Sequence, residues 1–289
     1  MYSEEILSIW LTEIFLPNNI RLTEMLSEHN NIQKLVFDLR SNKIKNLLPE
    51  EADRIRKISY SYAEDINKFC NKNKIQVITL YNEKYPKRLK ELLCPPLVIY
   101  CMGNEESLDS KKSLAIIGAR HPSDYSVKCA EYFSKDLSEN DFTIISGLAN
   151  GIDSVAHNGC LNYEHGKTVA VLGSGILYDY PKNSLPLKNR ISKNGAVISE
   201  YPPLKEPQPI FFKARNRLIS GLSDGILVIE AGIKSGSLNT VSHGLEQGKD
   251  IYVIPPADIF NSRYKGQNLL ISDGAKTVTS PHEISSTFF

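Results

Sequence analysis

The chain has 289 residues and a formal net charge of +1, with 41% hydrophobic and 23% charged residues. This length predicts one large domain plus a smaller one, and the composition is that of an ordinary globular protein. Because the charge excludes a global basic field, any site for an anion has to be built locally.

The amino-terminal sequence MYSEEILSIW has acidic residues where a signal peptide carries basic ones. No apolar run approaches the ~20 residues that a membrane span requires. The five cysteines include no CxxC pair, which favours reduced and mostly buried thiols. These features predict a cytoplasmic protein with no membrane partner.

Residues 1–73 are predicted to form a small helical domain. Apolar residues recur at helical spacing in EEILSIWLTEIF, at Ile6, Leu7, Trp10, Leu11 and Ile14. Pro17 ends this helix, and Trp10 is expected in the core. Further helical segments are IQKLVFDLR and EEADRIRKISYSYAEDINKFCNKN, and the second opens at Pro49, a favourable first-turn residue.

From residue 74 the pattern changes to β-branched runs. IQVITLY and PPLVIYCMG predict two strands, with a short helix in YNEKYPKRLKELL between them. Six near-continuous apolar runs follow: SLAIIGA, FTIISGL, TVAVLGS, GAVISEY, GILVIEA and DIYVIPP. Such runs are typical of strands covered on both faces, and helical stretches between most of them imply right-handed crossovers. We therefore expect a doubly wound, mostly parallel α/β domain over residues 74–289.

Small and polar residues end nearly every run, which is where open α/β sheets bind ligands. The loops after the first, second, third and fifth runs supply Gly118, Arg120, Ser123, Ser146, Gly147, Gly151, Gly173, Ser174, Gly175, Ser235, Gly236, Ser237 and Thr240. Unpaired N–H groups at helix starts favour an anion, and glycine lets a phosphate approach closely. None of the loops is a Walker A loop or a GxGxxG fingerprint. Several such loops on one sheet edge predict an anion-binding crevice.

Fixed positive charge follows the same loops. It comes from Arg120, Lys182, Lys213, Arg215 and Arg217, and nearby aromatic residues are Tyr125, Tyr178, Tyr180, Tyr201, Phe211 and Phe212. Cations interleaved with aromatic rings are what a groove for single-stranded nucleic acid needs. Taken singly, each ring is also explained by core packing, and Arg215 and Arg217 by an ion pair, with Glu230 as a candidate partner.

Catalytic chemistry has weaker support. Asp153 and His157 are four residues apart on one predicted helix face, and Glu200 and Glu230 at strand ends could pair as acid and base. The sequence has no GxSxG nucleophile motif and no HExxH metal spacing. We expect no cofactor, no metal site and no catalytic residue.

Ordered short motifs across residues 74–289 resemble the DNA-processing protein A family, also called Smf or DprA. They are GARHPSDYS, SGLANGID, VLGSG followed by YPKN, SEYPP, RNRLISGLS, VIEA, SGSLNT, LEQGK and NLLISDGA. The resemblance implies an extended Rossmann-like fold, and the helical first part resembles the SAM-like amino-terminal domain of some members. It also implies a non-enzymatic, homodimeric protein of natural transformation that binds single-stranded DNA, protects incoming strands and loads the RecA recombinase.

The family's binding pattern carries over by motif to particular residues. They are Arg120, Ser123, Ser146, Gly147, Gly151, Lys182, Phe212, Arg215, Asn216 and Arg217. Three positions depart from that pattern: Ala119 replaces a usual serine, Asn150 a common arginine or lysine, and Pro256 a usual glycine. The departures bear on the strength of binding.

Two alternatives stay open at the level of sequence. SGSLNT and VIEA are also reminiscent of nucleotide phosphoribohydrolases of the lysine-decarboxylase-like group, although the PGGxGT loop of that group is not present. In that nucleotide-hydrolysing enzyme the candidate residues are Glu230, Arg217 and residues 235–240. The other alternative is a sensor that holds a small nucleotide in the same crevice without catalysis.

Overall fold

The computed structural model describes residues 2–29 and 31–288. The first helices are α1 (Glu4–Phe15), α2 (Ile20–Glu28), α3 (Ile32–Arg40), α4 (Pro49–Lys57), α5 (Tyr60–Lys72) and α6 (Lys87–Lys90). The later ones are α7 (Asp124–Glu139), α8 (Ile152–Leu161), α9 (Leu185–Asn194), α10 (Pro209–Leu222), α11 (Ser237–Glu246), α12 (Lys265–Ser272) and α13 (Pro281–Ser285). None of the helices within the described ranges is long and apolar enough to cross a membrane.

The strands are β1 (Gln76–Thr79), β2 (Val98–Gly103), β3 (Ser113–Ile117), β4 (Thr143–Ser146), β5 (Thr168–Leu172), β6 (Gly195–Ser199), β7 (Gly225–Val228), β8 (Asp250–Val253) and β9 (Lys276–Thr277). They form one sheet in the order β1-β2-β6-β5-β4-β3-β7-β8-β9. From β6 to β9 neighbouring strands are parallel, whereas β1 and β2 add an antiparallel edge. The chain winds from β3 outward in both directions, so the predicted doubly wound α/β fold is confirmed.

The six apolar runs are the strands β3 to β8, and their residues are almost completely buried. Helices cover both faces, which explains why these strands are hydrophobic at successive positions rather than at alternate ones. The sequence did not predict β9, because its two residues are exposed and carry no apolar run.

The amino-terminal helices pack around Trp10, which is fully buried as expected. Its indole Nε1 donates to the Ile58 carbonyl at 2.9 Å, and the Arg40 guanidinium lies 4.8 Å from the ring centroid. The segment after Pro49, expected to be continuous, forms two helices because Ser59 caps the start of α5. One hydrophobic cluster joins these helices to a face of the sheet that includes Tyr100. The domain boundary near residue 74 stays a prediction.

Candidate functional site

A pocket lies at the carboxyl ends of β3, β4 and β5, and we call it the strand-end pocket. It is lined by Arg120, Gly147, Leu148, Ala149, Asn150, Leu172, Gly173, Ser174, Tyr180, Pro181, Phe212 and Arg215. Its empty volume, including space open to solvent, is about 420 Å³. Loops that follow three different strands meet there with the first turns of α10, as expected at this edge of an open α/β sheet.

The loop after β4 is held by the Asp153 carboxylate. Its Oδ2 accepts from the Gly147 N–H at 3.1 Å and from the Ala149 N–H at 3.3 Å. Burial raises the pKa of Asp153, and the charge of Arg215 works in the opposite direction. Gly151 has φ +85°, and a Cβ there would lie 2.3 Å from the Ala119 carbonyl oxygen, so the turn into α8 requires glycine. Asp153 therefore shapes the pocket wall.

Arg215 forms the floor of the strand-end pocket. Its Nη1 donates to the Gly147 carbonyl at 2.8 Å and also to the Val171 carbonyl, which joins the loop after β4 to the end of β5. Burial lowers its pKa to about 10, partly offset by Asp153, so the guanidinium stays charged at neutral pH. A Cβ on Gly147 would lie 2.7 Å from Nη2, so glycine lets this cation reach the backbone.

Arg120 and two aromatic rings form the wall of the pocket that faces solvent. The exposed Arg120 guanidinium lies 5.9 Å from the centroid of the Phe212 ring. The Phe212 and Tyr180 rings are 5.2 Å apart and tilted by 36°. A Cβ on Gly173 would lie 2.6 Å from Cδ1 of Phe212, so glycine allows the ring to pack on the loop after β5. A cation and two packed aromatic rings thus share one surface.

Other predicted residues lie beside the pocket or behind it. Lys182 is exposed and follows the lining residues Tyr180 and Pro181 directly in sequence. Gly118 packs on Ile152, where a Cβ would lie 2.7 Å from the Ile152 Cγ1. Neither residue lines the pocket itself.

Two further residues of this group have their polar atoms bound by protein. The hydroxyl of Ser146 is buried and donates to the Ile116 carbonyl at 2.6 Å. The N–H of Gly175 donates to the Lys205 carbonyl at 2.8 Å. Both bonds tie the strand ends to neighbouring backbone, so neither group faces the strand-end pocket.

Arg217 does not join Arg215 in the pocket. Its Nη1 and Nη2 donate to the two carboxylate oxygens of Glu200 at 2.6 and 2.7 Å, and both side chains are almost fully buried. Two residues further along α10 the side chain points in a different direction from Arg215, because successive helix positions are rotated by about 100°. Arg217 therefore forms a buried ion pair, with Glu200 rather than Glu230 as its partner, and its role in binding a ligand stays a prediction.

Ser123 likewise faces a protein partner. Its N–H and hydroxyl donate to Oε2 of Glu230 at 2.9 and 2.7 Å, and the Tyr264 hydroxyl lies 2.8 Å from its Oγ. Arg263 is 3.5 Å from the other oxygen of Glu230. Ser123 also caps α7 by accepting from the Ser126 N–H. The Ser123 N–H and hydroxyl, which the sequence predicts to bind an anion, are therefore hydrogen-bonded to Glu230 in this structure.

The glycine-rich loop after β7 lies next to Asn216 and not at the strand-end pocket. The Asn216 Nδ2 donates to the Gly236 carbonyl at 3.3 Å and to the Asn239 Oδ1 at 3.1 Å. The hydroxyls of Ser235 and Ser237 are 2.6 Å apart. The structure thus places Ser235, Gly236 and Ser237 in a second group beside Asn216. The Oδ1 of Asn216 accepts from the Nε of Arg215 at 3.2 Å, so this residue joins the second group to the arginine that lines the pocket.

The candidate catalytic residues His157, Glu200 and Glu230 each bind a different group of the protein. His157 is buried, its Nδ1 lies 2.7 Å from the Thr168 hydroxyl, and burial lowers its pKa to about 3. Glu200 binds Arg217 and Glu230 binds Ser123, so the two carboxylates do not share a partner. Within residues 2–29 and 31–288 no cluster of three or more His, Cys, Asp or Glu side chains could hold a metal ion.

Sequence reasoning had not selected several lining residues. Leu148, Ala149 and Asn150 lie inside a recognised glycine loop, and Asn150 was noted only as a missing positive charge. Pro181 lies nine residues past the end of β5, beyond the strand-end pattern. The neighbouring Tyr180 was predicted as one of the aromatic residues interleaved with cations, and its side chain lines the pocket.

The chain matches known proteins over most of its length. A model of the DNA recombination-mediator protein A family matches residues 76–289. DNA processing protein DprA of Streptococcus pneumoniae is 38% identical over 215 residues, which cover 74% of this chain and 75% of that protein. DNA processing protein DprA of Bacillus subtilis is 31% identical over 246 residues, covering 85% of this chain and 80% of that protein.

Solved structures agree with these matches. DNA processing protein A from Streptococcus pneumoniae has a TM-score of 0.87 and 31% identity, covering 100% of this chain and 99% of that one. DNA processing protein A from Helicobacter pylori, described for its single-stranded DNA binding mode, has a TM-score of 0.66 and 31% identity. It covers 73% of this chain and 95% of its own. This chain therefore belongs to the DNA recombination-mediator protein A family.

Proposed function

We propose that this protein binds single-stranded DNA at the strand-end pocket. One phosphate binds beside Arg120, and a base stacks on the surface formed by Phe212 and Tyr180. The observation that carries the proposal is that Arg120, Arg215 and this ring pair line the same pocket. Arginine binds phosphate through a planar fork, and aromatic rings stack on bases of any sequence. The Helicobacter pylori relative, described as binding single-stranded DNA, supports the proposal.

The wider role that we propose follows from family membership. The protein acts without catalysis in natural transformation, in the cytoplasm and as a homodimer. It protects the incoming single strand and loads the RecA recombinase onto it. A pocket that is open to solvent suits this role, because a strand bound at the surface can be released to RecA.

The binding proposal is tested by titrating a fluorescent poly-dT strand with protein at several salt concentrations. Arg120→Ala is expected to weaken binding and to lower the salt slope by about 0.7, the value for one lost phosphate contact on a single strand. Arg56→Ala is the matched control, because its side chain is 71% exposed on α4 in the amino-terminal part. An Arg120→Ala variant with unchanged affinity and slope would contradict the proposal.

Three further measurements separate this function from its alternatives. A gel shift is expected to show preference for single-stranded over duplex DNA, whereas competition by AMP would favour a small-nucleotide sensor. Release of free base from nucleoside monophosphates would favour the enzyme.

For the wider role, the protein is expected to speed the assembly of RecA on single-stranded DNA. Arg120→Ala is expected to abolish this increase in rate. Light scattering during gel filtration measures the dimer.

A further inference from the structure

The segment that brings Tyr180 and Pro181 to the strand-end pocket has no helix or strand of its own. It spans residues 173–184, and its backbone is bound partly within the segment and partly by groups outside it. The Leu177 N–H donates to the Pro203 carbonyl at 2.9 Å, which attaches the outer side of the segment to the loop after β6. Buried backbone groups need hydrogen-bond partners. The position of such a segment therefore depends on the groups outside it that bind its carbonyls.

Lys188, on α9, binds two of those carbonyls from the interior. Its Nζ donates to the Ile176 carbonyl at 3.2 Å and to the Tyr178 carbonyl at 2.6 Å. The residue is fully buried, with 0% exposure. A buried ammonium group is costly, so its burial has to be offset by good hydrogen bonds. Burial lowers its pKa to about 8, opposed by Asp179, and the group is mostly charged at neutral pH.

Asp179 fixes the other end of the same segment. Its carboxylate oxygens accept from the N–H groups of Asn183 and Ser184, each at 3.0 Å. Between this turn and the carbonyls that Lys188 binds lie Tyr180, Pro181 and Lys182. The short stretch that carries the Tyr180 ring is therefore held at both ends.

We propose that Lys188 is a positioning residue for the DNA site. By binding the Ile176 and Tyr178 carbonyls it holds Tyr180 beside Phe212. Lys188 does not touch the strand itself. The inference rests on the proposed binding of single-stranded DNA, and it assigns to a buried lysine the work of keeping the stacking surface formed before the strand arrives.

The test is a double-mutant cycle between Lys188→Met and Tyr180→Ala, read as affinity for poly-dT. Methionine keeps most of the volume and removes the N–H donors. Lys188→Met is expected to weaken binding about tenfold, the order of one lost stacking contact. In the Tyr180→Ala background the same change is expected to cost less than about twofold, because its effect acts through that ring. Lys193→Met, at an exposed position of the same helix, is the control and should bind normally.

Thermal unfolding followed by circular dichroism shows that each variant is folded at the assay temperature. If Lys188→Met is unfolded there, the cycle is run with Lys188→Gln, whose shorter amide side chain also removes the ammonium group, and its loss of affinity should again be smaller in the Tyr180→Ala background. Equal losses in both backgrounds, or unchanged affinity of the Lys188 variant, would overturn the inference. Failure of the proposed function is distinguished by Arg120→Ala, which tests DNA binding independently of Lys188.

Discussion

Charged residues at the carboxyl edge of the sheet occur in two surroundings. Over β3, β4 and β5, Arg120 and Arg215 line an open pocket together with aromatic rings. Over β6 and β7, the carboxylates of Glu200 and Glu230 are each bound by protein donors, Arg217 in the first case and Ser123 in the second. Both regions have charged and small polar residues at strand ends. In the contacts described above, Arg120 and Arg215 bind no carboxylate, whereas Arg217 is paired with Glu200.

The difference lies in the charge of the residue that follows each strand. A buried carboxylate after β6 or β7 requires donors, and the nearest arginine, serine hydroxyl and backbone N–H supply them. After β3, β4 and β5 the corresponding residues are glycine and serine, which make no such demand. A strand-end loop can therefore bind a ligand where no buried carboxylate of the protein takes up the hydrogen-bond donors nearby.

The largest expected effect tests the closed side of this comparison. Arg217→Ala leaves the Glu200 carboxylate buried without its partner, and we expect the free energy of unfolding to fall by about 3–5 kcal/mol in urea titrations. Arg217→Met combined with Glu200→Leu is the control, since it removes both charges and should restore most of the stability. A loss below about 1 kcal/mol, as for an exposed pair, would contradict burial of the pair.

A smaller loss of stability is expected at β7. Glu230→Gln weakens the bonds from the Ser123 N–H and hydroxyl, and the free energy of unfolding should fall by about 1.5–3 kcal/mol. Affinity for poly-dT should stay unchanged, because these groups face each other and not the pocket. Glu246→Gln, whose side chain is 74% exposed, serves as the control. Reduced DNA affinity in folded Glu230→Gln protein would bring this network into the binding site.

The open side is tested at Phe212. Phe212→Ala should cost about 1–3 kcal/mol of binding free energy on poly-dT if a base stacks on this ring. Fluorescence titration measures it, with Phe37→Ala as the control because Phe37 is 60% exposed on α3. Unchanged binding by the Phe212 variant would mean that this ring only packs within the protein. The binding site would then consist of the arginines without a stacking contact from Phe212.

Much of the fold followed from local sequence. The runs that became β3 to β8 are apolar at successive positions, and the glycines after β3, β4 and β5 mark the loops where the pocket formed. Arg120 and Phe212, which the sequence predicts at one crevice, line the same pocket, and their role in binding stays a prediction. The break between α4 and α5 was missed because Ser59 is a weak signal beside an otherwise continuous helical pattern.

Sequence by itself determined which strands would be buried and at which edge their small residues would gather, since strand hydrophobicity and turn chemistry are local properties. Only the tertiary structure decided that Arg215 faces the pocket and Arg217 binds Glu200, and that the Tyr180 ring packs beside Phe212. Those choices join residues that are far apart in the chain. They depend on the rotation of α10 and on the path of a loop that Lys188 holds from within.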